Sequence, residues 1–436
     1  MKLNRSNVSL FALSAVVLAV GCVSVAKGRG QDAALLSATP SVPNATYKVG
    51  EKATWTIKSP TLRSVNYIAK RDNSGKVASG TLQFQNGEAK LEVFGDQPSF
   101  LYVELTAEGA KPLPLAAAIS PTEIQPFARP ADFRKFWDRR IADARKVALN
   151  PVITPKANSR ETIEYGTYKL DFIKGENIYG QMAKPKAKGK YPMIVQFQWA
   201  GGPYPLDPNW ITWRAEQGYL IFNSQAHNVL PTEPKAYYDA LPAALKNYSG
   251  IATDDLENNY FVEMYLRAVR SIDFAMQHPE WDGKTLIVMG TSMGGQQTLA
   301  VSGLHPAITH SIANVPAGSD LSAIKFNRSA SYPFLPVTDP KVAAVAPYVD
   351  INNFATDIKS KVLIGCGWVD TVCAPSGIQA TFNAIPGKAA SGMKELVPMI
   401  DSPHNHQATP AQQKPYVDRE TVWLDAIRKG VPIPKS

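Results

Sequence analysis

The apolar run Thr285-Leu286-Ile287-Val288-Met289 passes without a break into Gly290-Thr291-Ser292-Met293-Gly294-Gly295 and then into the helix-compatible Gln296-Gln297-Thr298-Leu299-Ala300. A G-x-S-x-G turn between a strand and a helix leaves few architectures open. It needs a serine held in a strained turn, neighbours without a Cβ, and a sheet edge above which the serine oxygen stands exposed. The short pattern alone is common in chains of ordinary Gly and Ser content. The preceding strand, the following helix and a third glycine for close helix packing mark this one as a nucleophile elbow rather than an accidental Gly-rich turn.

The surrounding sequence fits such an elbow. From Glu161 onward, strand-like runs alternate with helical ones, at Met193–Phe197, Tyr219–Phe222, Thr285–Met289, Ile312–Val315, Val362–Ile364 and Glu395–Ile400. Between them Phe261, Tyr265, Ala268, Val269 and Ile272 share one face of a long helix, and Phe133, Phe136, Trp137, Ile141 and Ala144 share a face of an earlier one that Asp132 is placed to start. Apolar strands separated by helices predict an α/β fold, a doubly wound, mostly parallel sheet of the α/β-hydrolase kind. This catalytic region spans residues 131–436.

Before it the period changes. Leu101, Val103 and Leu105 alternate with polar residues, and Leu82 and Phe84 are followed by Asn86-Gly87 before Ala89, Leu91 and Val93. Asn-Gly between alternating runs predicts a hairpin. Residues 41–110 are therefore expected to form a small all-β, immunoglobulin-like sandwich, and the Pro- and Ala-rich stretch 111–130 a linker. A chain of 436 residues is long enough for two cores.

Residues 1–22 read as a signal peptide, because Lys2 and Arg5 precede an apolar run from Leu10 to Val20 that ends in small residues. The run is shorter than the ~20 residues of a membrane span. Ala19-Val20-Gly21-Cys22 resembles a lipobox with Ala where Leu is usual, so the expectations are an exported, periplasmic or secreted protein or one tethered by lipid on Cys22. The formal charge of +9 comes from 46 scattered Lys and Arg without basic-aromatic runs, which argues against nucleic-acid binding. Cys366 and Cys373 are either a disulfide pair or two small buried residues, and no metal-binding spacing or cofactor motif accompanies them.

An elbow serine needs an acid and then a histidine later in the chain. His305 and His310 lie in or just beyond the elbow helix, whereas His404 and His406 follow the last strand, where a loop leaves the carboxyl edge of the sheet. Asp370 sits in the equivalent loop after Val362–Ile364. Asp320, Asp339, Asp350 and Asp357 fall in an excursion, residues 317–360, and Asp401 serves to end a strand.

From Pro130 to the C-terminus the chain resembles the acetyl xylan esterase and cephalosporin C deacetylase family, carbohydrate esterase family seven. Pro130-Ala131-Asp132-Phe133 with Phe136-Trp137-Asp138 is similar to the family's opening helix. Gly290 to Gly295 resembles its G-x-S-Q-G-G elbow, and Asp370-Thr371-Val372-Cys373-Ala374-Pro375-Ser376 its D-T-V-C-P-P-S acid loop. Counting from Lys394-Glu395 places His404, rather than His406, on the family's catalytic histidine. The chain departs from the family at Met293, which stands for Gln, and at Asn223-Ser224-Gln225-Ala226, which stands for R-G-Q-G. It departs also at Val195 to Gly202, where the V-Q-F-H-G-Y segment lacks its His and Tyr, and at Asn405, which stands for Glu. Because of these departures neither the family's substrate pocket nor its hexamer is carried over to this chain.

The resemblance implies a serine esterase acting on carbohydrate esters, with Ser292 as nucleophile, His404 as base and Asp370 as orienting acid. The backbone N–H groups of Met293 and of Ala200, or alternatively Trp199, are the candidate oxyanion donors. Trp199, Gln225 and Trp368 are candidate substrate contacts; Trp199, Trp368 and Tyr204 offer flat faces to a sugar or serve as ordinary core aromatics. Two rival readings are a same-fold hydrolase of other specificity, a peptidase or general carboxylesterase, and a non-catalytic surface lipoprotein.

Overall fold

The computed structural model describes residues 36–436 except 388, 390 and 391. Residues 1–22, expected to be a signal peptide, and with them Cys22, lie outside the described residues.

Nine strands form the main sheet: β9 (Val152–Lys156), β10 (Ile163–Asp171), β11 (Asn177–Pro185), β12 (Tyr191–Phe197), β13 (Leu220–Ser224), β14 (Trp281–Thr291), β15 (His310–Asn314), β16 (Lys361–Gly367) and β17 (Lys394–Met399). Their order is β17-β16-β15-β14-β12-β13-β11-β10-β9. From β13 to β17 all pairs are parallel, and β11, β10 and β9 continue antiparallel. The six apolar runs seen in the sequence are the six parallel strands. The five inner ones read as nearly continuous apolar runs because both of their faces are covered, whereas β17, at the edge, carries Glu395 and leaves Pro398 exposed. Val195, Phe197 and Val288 face a core built with the helices Phe133–Arg145 and Tyr260–Ala275, whereas Ile194, Ile287 and Met289 face Ile211, Ala215, Trp423 and Leu424 of the helices Asn209–Glu216 and Pro410–Lys429. Asp132 precedes the first of these helices without capping it; its carboxylate accepts the Tyr348 hydroxyl instead.

The N-terminal residues form two sheets that share one buried cluster. A three-stranded sheet, β1-β3-β6, contains β1 (Ser37–Pro40), β3 (Lys52–Lys58) and β6 (Glu88–Phe94). A five-stranded sheet, β2-β8-β7-β4-β5, contains β2 (Thr46–Tyr47), β4 (Ser64–Arg71), β5 (Gly75–Gln83), β7 (Ser99–Thr106) and β8 (Leu113–Ile119). Two expectations need correction here. Asn86 and Gly87 do make a tight turn at φ 51° and 79°, closed by a single bridge between Gln85 and Glu88. The runs on either side then part company, β5 pairing with β4 and β6 with β3, so the signal marks a crossing between sheets and not a hairpin. The linker assigned to 111–130 is also too long, since Leu113–Ile119 pairs along its length with β7. Pro114 is tolerated because β2 reaches only Ala118 and Ile119, leaving the backbone at Pro114 without a partner on that side.

Candidate active site

Ser292 stands between β14 and the helix Met293–Leu304 at φ 58°, ψ −120°. A left-handed conformation at a non-glycine costs of order 1–3 kcal/mol and persists only where the surroundings fix it. They do so through three hydrogen bonds: the Ser292 N–H donates to the Asn314 carbonyl at 2.9 Å, and the Ser292 carbonyl accepts from the Gln296 and Ala317 N–H groups at 2.9 and 3.0 Å. Glycine is required on both sides because a Cβ at Gly290 would lie 2.5 Å from the Gly294 carbonyl carbon, and one at Gly294 would lie 2.5 Å from the Phe197 carbonyl oxygen.

The two later loops bring their side chains to this turn. The Asp370 Oδ1 accepts from the N–H groups of Val372 and Cys373, both at 2.8 Å, which aims Oδ2 at the His404 Nδ1 2.7 Å away. His404 Nε2 is 3.0 Å from the Ser292 Oγ. A carboxylate only accepts, so the proton between Asp370 and His404 sits on Nδ1, and Nε2 is left as acceptor for the serine hydroxyl. All three residues are buried, at 5%, 2% and 2% relative exposure for Ser292, Asp370 and His404. The loops themselves are tied together: the Trp368 N–H donates to the Met399 carbonyl and the Val369 N–H to the Ser402 carbonyl. His406 lies edge-on to His404, ring centroids 5.2 Å apart, on the cleft wall.

Above Ser292 opens a cleft of about 780 Å³, lined by Trp199, Ala200, Gly201, Tyr248, Tyr332 and His406 among others. Trp199, 38% exposed, stacks on Tyr204 at 5.7 Å and is met edge-on by Trp210 at 4.7 Å. Ala200 is on the wall, and Met293 is buried beside the serine. Two other candidates lie elsewhere. Gln225 is buried outside the lining, its amide donating to the Tyr204 carbonyl at 2.8 Å, so it supports the aromatic loop from behind. Trp368 points away from the cleft and packs edge-to-face against Phe100 of the N-terminal sheets at 5.4 Å.

Tyr248 and Tyr332 are two cleft residues that sequence reasoning missed. Their hydroxyls are 2.6 Å apart, and the Tyr248 oxygen also accepts from the Gly201 N–H at 3.4 Å and lies 3.3 Å from the Met293 sulfur. Burial pushes both phenols above their ordinary range. Neither sits in a periodic segment, so no local signal pointed to them.

Cys366 and Cys373 are free and buried, and burial, reinforced by the Asp370 charge, raises both thiols. Cys373 offers its sulfur within 4.8 Å of ligand atoms of Asp370 and His404. That carboxylate and both imidazole nitrogens are already engaged in the chain of hydrogen bonds ending at Ser292. A metal placed among them would have to break that chain. Among the described residues no helix is long and apolar enough to cross a membrane.

A strand, a left-handed serine and a helix at the carboxyl edge of a doubly wound sheet, with a carboxylate–imidazole pair on the later loops, define an α/β-hydrolase of the serine-esterase class. The chain belongs to the acetyl xylan esterase family, whose pattern it matches over residues 123–416, and it is a carboxylic ester hydrolase. It is 31% identical over 356 residues to the acetyl esterase Axe7A of Xylanibacter ruminicola, a match covering 78% of this chain and 81% of that one. Its fold is similar to that of acetyl xylan esterase 1 from Thermoanaerobacterium sp. JW/SL YS485 (TM-score 0.55, 23% identity, 65% of this chain and 92% of the other). It is likewise similar to an acetyl xylan esterase from Paenibacillus sp. R4 (TM-score 0.58, 22% identity, 68% and 96%).

Proposed function

We propose that this chain is an exported carbohydrate acetyl esterase in which Ser292, His404 and Asp370 act as nucleophile, general base and orienting acid. The observation that carries the assignment of roles is the unbroken hydrogen-bond chain from Ser292 Oγ through both nitrogens of His404 to Asp370 Oδ2, at 3.0 and 2.7 Å, on the floor of an open cleft. His404 Nε2 takes the Ser292 proton as Oγ attacks the acetyl carbonyl, and returns it to the departing sugar oxygen as the tetrahedral intermediate collapses. A water, deprotonated by the same nitrogen, then releases acetate and restores the serine. The intermediate's oxyanion is assigned to the N–H groups of Met293 and Ala200; the Gly201 N–H is already taken by Tyr248.

The acetylated sugar is assigned to the Trp199 face. A rigid, part-exposed indole backed by Tyr204 and Trp210 suits the apolar face of a pyranose ring. The paired N-terminal sheets and their single core support the immunoglobulin-like sandwich reading of that module. Export, in free or lipid-tethered form, rests on the leader pattern and Cys22. The test is hydrolysis by purified protein of acetylated xylan, acetylated pectin, cephalosporin C and aryl esters of increasing chain length. Acetate release from a sugar polymer and preference for aryl acetate over butyrate are expected; preference for octanoate would contradict the assignment.

A further inference from the structure

The N-terminal module does not hang from the catalytic domain by a tether. Ala45, Phe100, Ala116 and Ala118 of the module share one buried cluster with Cys366, Trp368, Val369, Cys373 and Ile378, which belong to the strand, loop and helix around Asp370. Ile124 of the connecting segment joins the same cluster. Phe100 and Trp368 meet edge to face at 5.4 Å, and Trp368 lies two residues before Asp370. The helix that follows the acid loop, Pro375–Ala384, is held from the same side, since the Asn383 amide donates to the carbonyls of Pro121 and Ile124 at 2.9 and 2.8 Å.

A second line of contact reaches the cleft wall. The tip of the β4–β5 hairpin presents Asp72, whose carbonyl accepts the Ser329 N–H at 3.1 Å and whose carboxylate accepts the Phe100 N–H at 2.8 Å. Arg328, in the same stretch, is ion-paired with buried Asp320 at 2.7 Å and donates to the Gln125 carbonyl at 3.3 Å. Burial at this junction pushes the Asp72 carboxyl up to about 6, as expected where water is excluded. Three residues on from Ser329 is Tyr332, a cleft residue, whose N–H donates to the Val372 carbonyl at 2.8 Å, while the Ala374 N–H donates to the Ser331 hydroxyl at 3.0 Å. The module therefore backs both the acid loop and the segment that lies across it.

We propose that the N-terminal module is a structural part of the active site, in which Phe100 acts as a positioning residue that holds Asp370 in register with His404 through Trp368. This reading rests on the esterase mechanism above. Phe100 is buried and belongs to the cluster behind the acid loop, and it is absent from the cleft lining, so its effect falls on turnover and not on substrate capture.

The experiment uses the full chain and 4-nitrophenyl acetate, a substrate of a few atoms. Phe100→Ala removes the ring that supports Trp368; misplacement of about 1 Å costs on the order of a hundredfold in rate, so about half that displacement is expected to cost about tenfold. We expect kcat about tenfold below wild type with KM within twofold, in protein whose circular dichroism matches wild type. Phe100→Leu, which keeps most of the apolar contact, recovers about half of the loss on a logarithmic scale, to about threefold below wild type, and carries the test if the alanine variant does not fold. Wild-type kcat in either folded variant overturns the proposal, even if the protein melts earlier, and so does a raised KM at unchanged kcat, which would make the module a substrate-binding appendage. Turnover by the wild type, abolished in Ser292→Ala, checks the esterase mechanism separately from the variant-to-wild-type ratio.

Discussion

Gly294→Ala probes how closely the elbow helix must approach the loop that carries Ala200. A Cβ built at Gly294 lies 2.5 Å from the Phe197 carbonyl oxygen, 3.0 Å from its carbon and 3.2 Å from the Gln198 carbonyl oxygen. A carbon–oxygen contact settles near 3.3 Å, so about 0.8 Å of separation has to be found. The obstructing atoms are main chain at the end of β12, and neither they nor the helix can rotate aside. The strain should cost about 1–3 kcal/mol of stability, the usual range for overpacking a close-packed site. The displacement also moves the loop from Trp199 to Gly202 relative to Ser292. Misplacement of about 1 Å costs on the order of a hundredfold in rate, and loss of one oxyanion donor costs about as much. The expectation is kcat on 4-nitrophenyl acetate reduced about 30- to 100-fold in folded protein. Gly250→Ala serves as the control, because nothing lies within 4 Å of a Cβ there. A folded Gly294→Ala enzyme with kcat within threefold of wild type would refute this account of the elbow.

The two neighbouring histidines separate by role: His404→Ala should lose at least about a thousandfold in kcat and His406→Ala less than about fivefold, and the reverse order would move the base to His406. A third prediction concerns His227, which is buried against the Tyr260 hydroxyl at 2.7 Å and whose imidazole is pushed down to about 3 by burial, with the nearby Arg267 charge adding to the effect. Its ordinary value in the unfolded chain is about 6.5, so the unfolded state takes up a proton first; the contribution is intact above pH 6.5 and is lost as pH falls toward the folded value. His227→Gln lacks this loss, and urea unfolding should show the variant gaining on wild type by on the order of 2 kcal/mol between pH 6.5 and 4.5. Parallel pH dependence in the two proteins would show that the folded state takes up a proton at His227 over the same pH range as the unfolded chain, contradicting the downward shift.

The parallel strands and the meeting of Ser292, Asp370 and His404 at one sheet edge could be read from sequence because each has a local cause. Strands buried on both faces are continuous apolar runs, and the elbow, acid loop and histidine loop each follow directly from one of them. What escaped was set by distant partners. Leu113–Ile119 looks like a linker because Pro and Ala are poor strand formers, and only its pairing with β7 makes it a strand. The Asn86-Gly87 signal fixes a turn but says nothing about which sheet each flanking run joins. Trp368 lies near Val372 of the cleft in sequence and Gln225 directly follows β13, yet packing turns one toward Phe100 and hydrogen bonding ties the other beneath Tyr204. Tyr248, on a single 3-10 turn, and Tyr332, in an irregular segment, reach the cleft without periodicity to mark them.

The central claim is that Ser292 is the acyl acceptor, and it is tested most directly by measuring kcat/KM of Ser292→Ala on an aryl acetate beside wild type. The change removes one oxygen, and the glycines and hydrogen bonds that build the turn remain in place. The account predicts a folded protein with activity lower by at least about a thousandfold, the scale of triad knockouts in serine hydrolases. Retention of more than about a tenth of wild-type kcat/KM, a barrier change of less than about 1.4 kcal/mol, would contradict it.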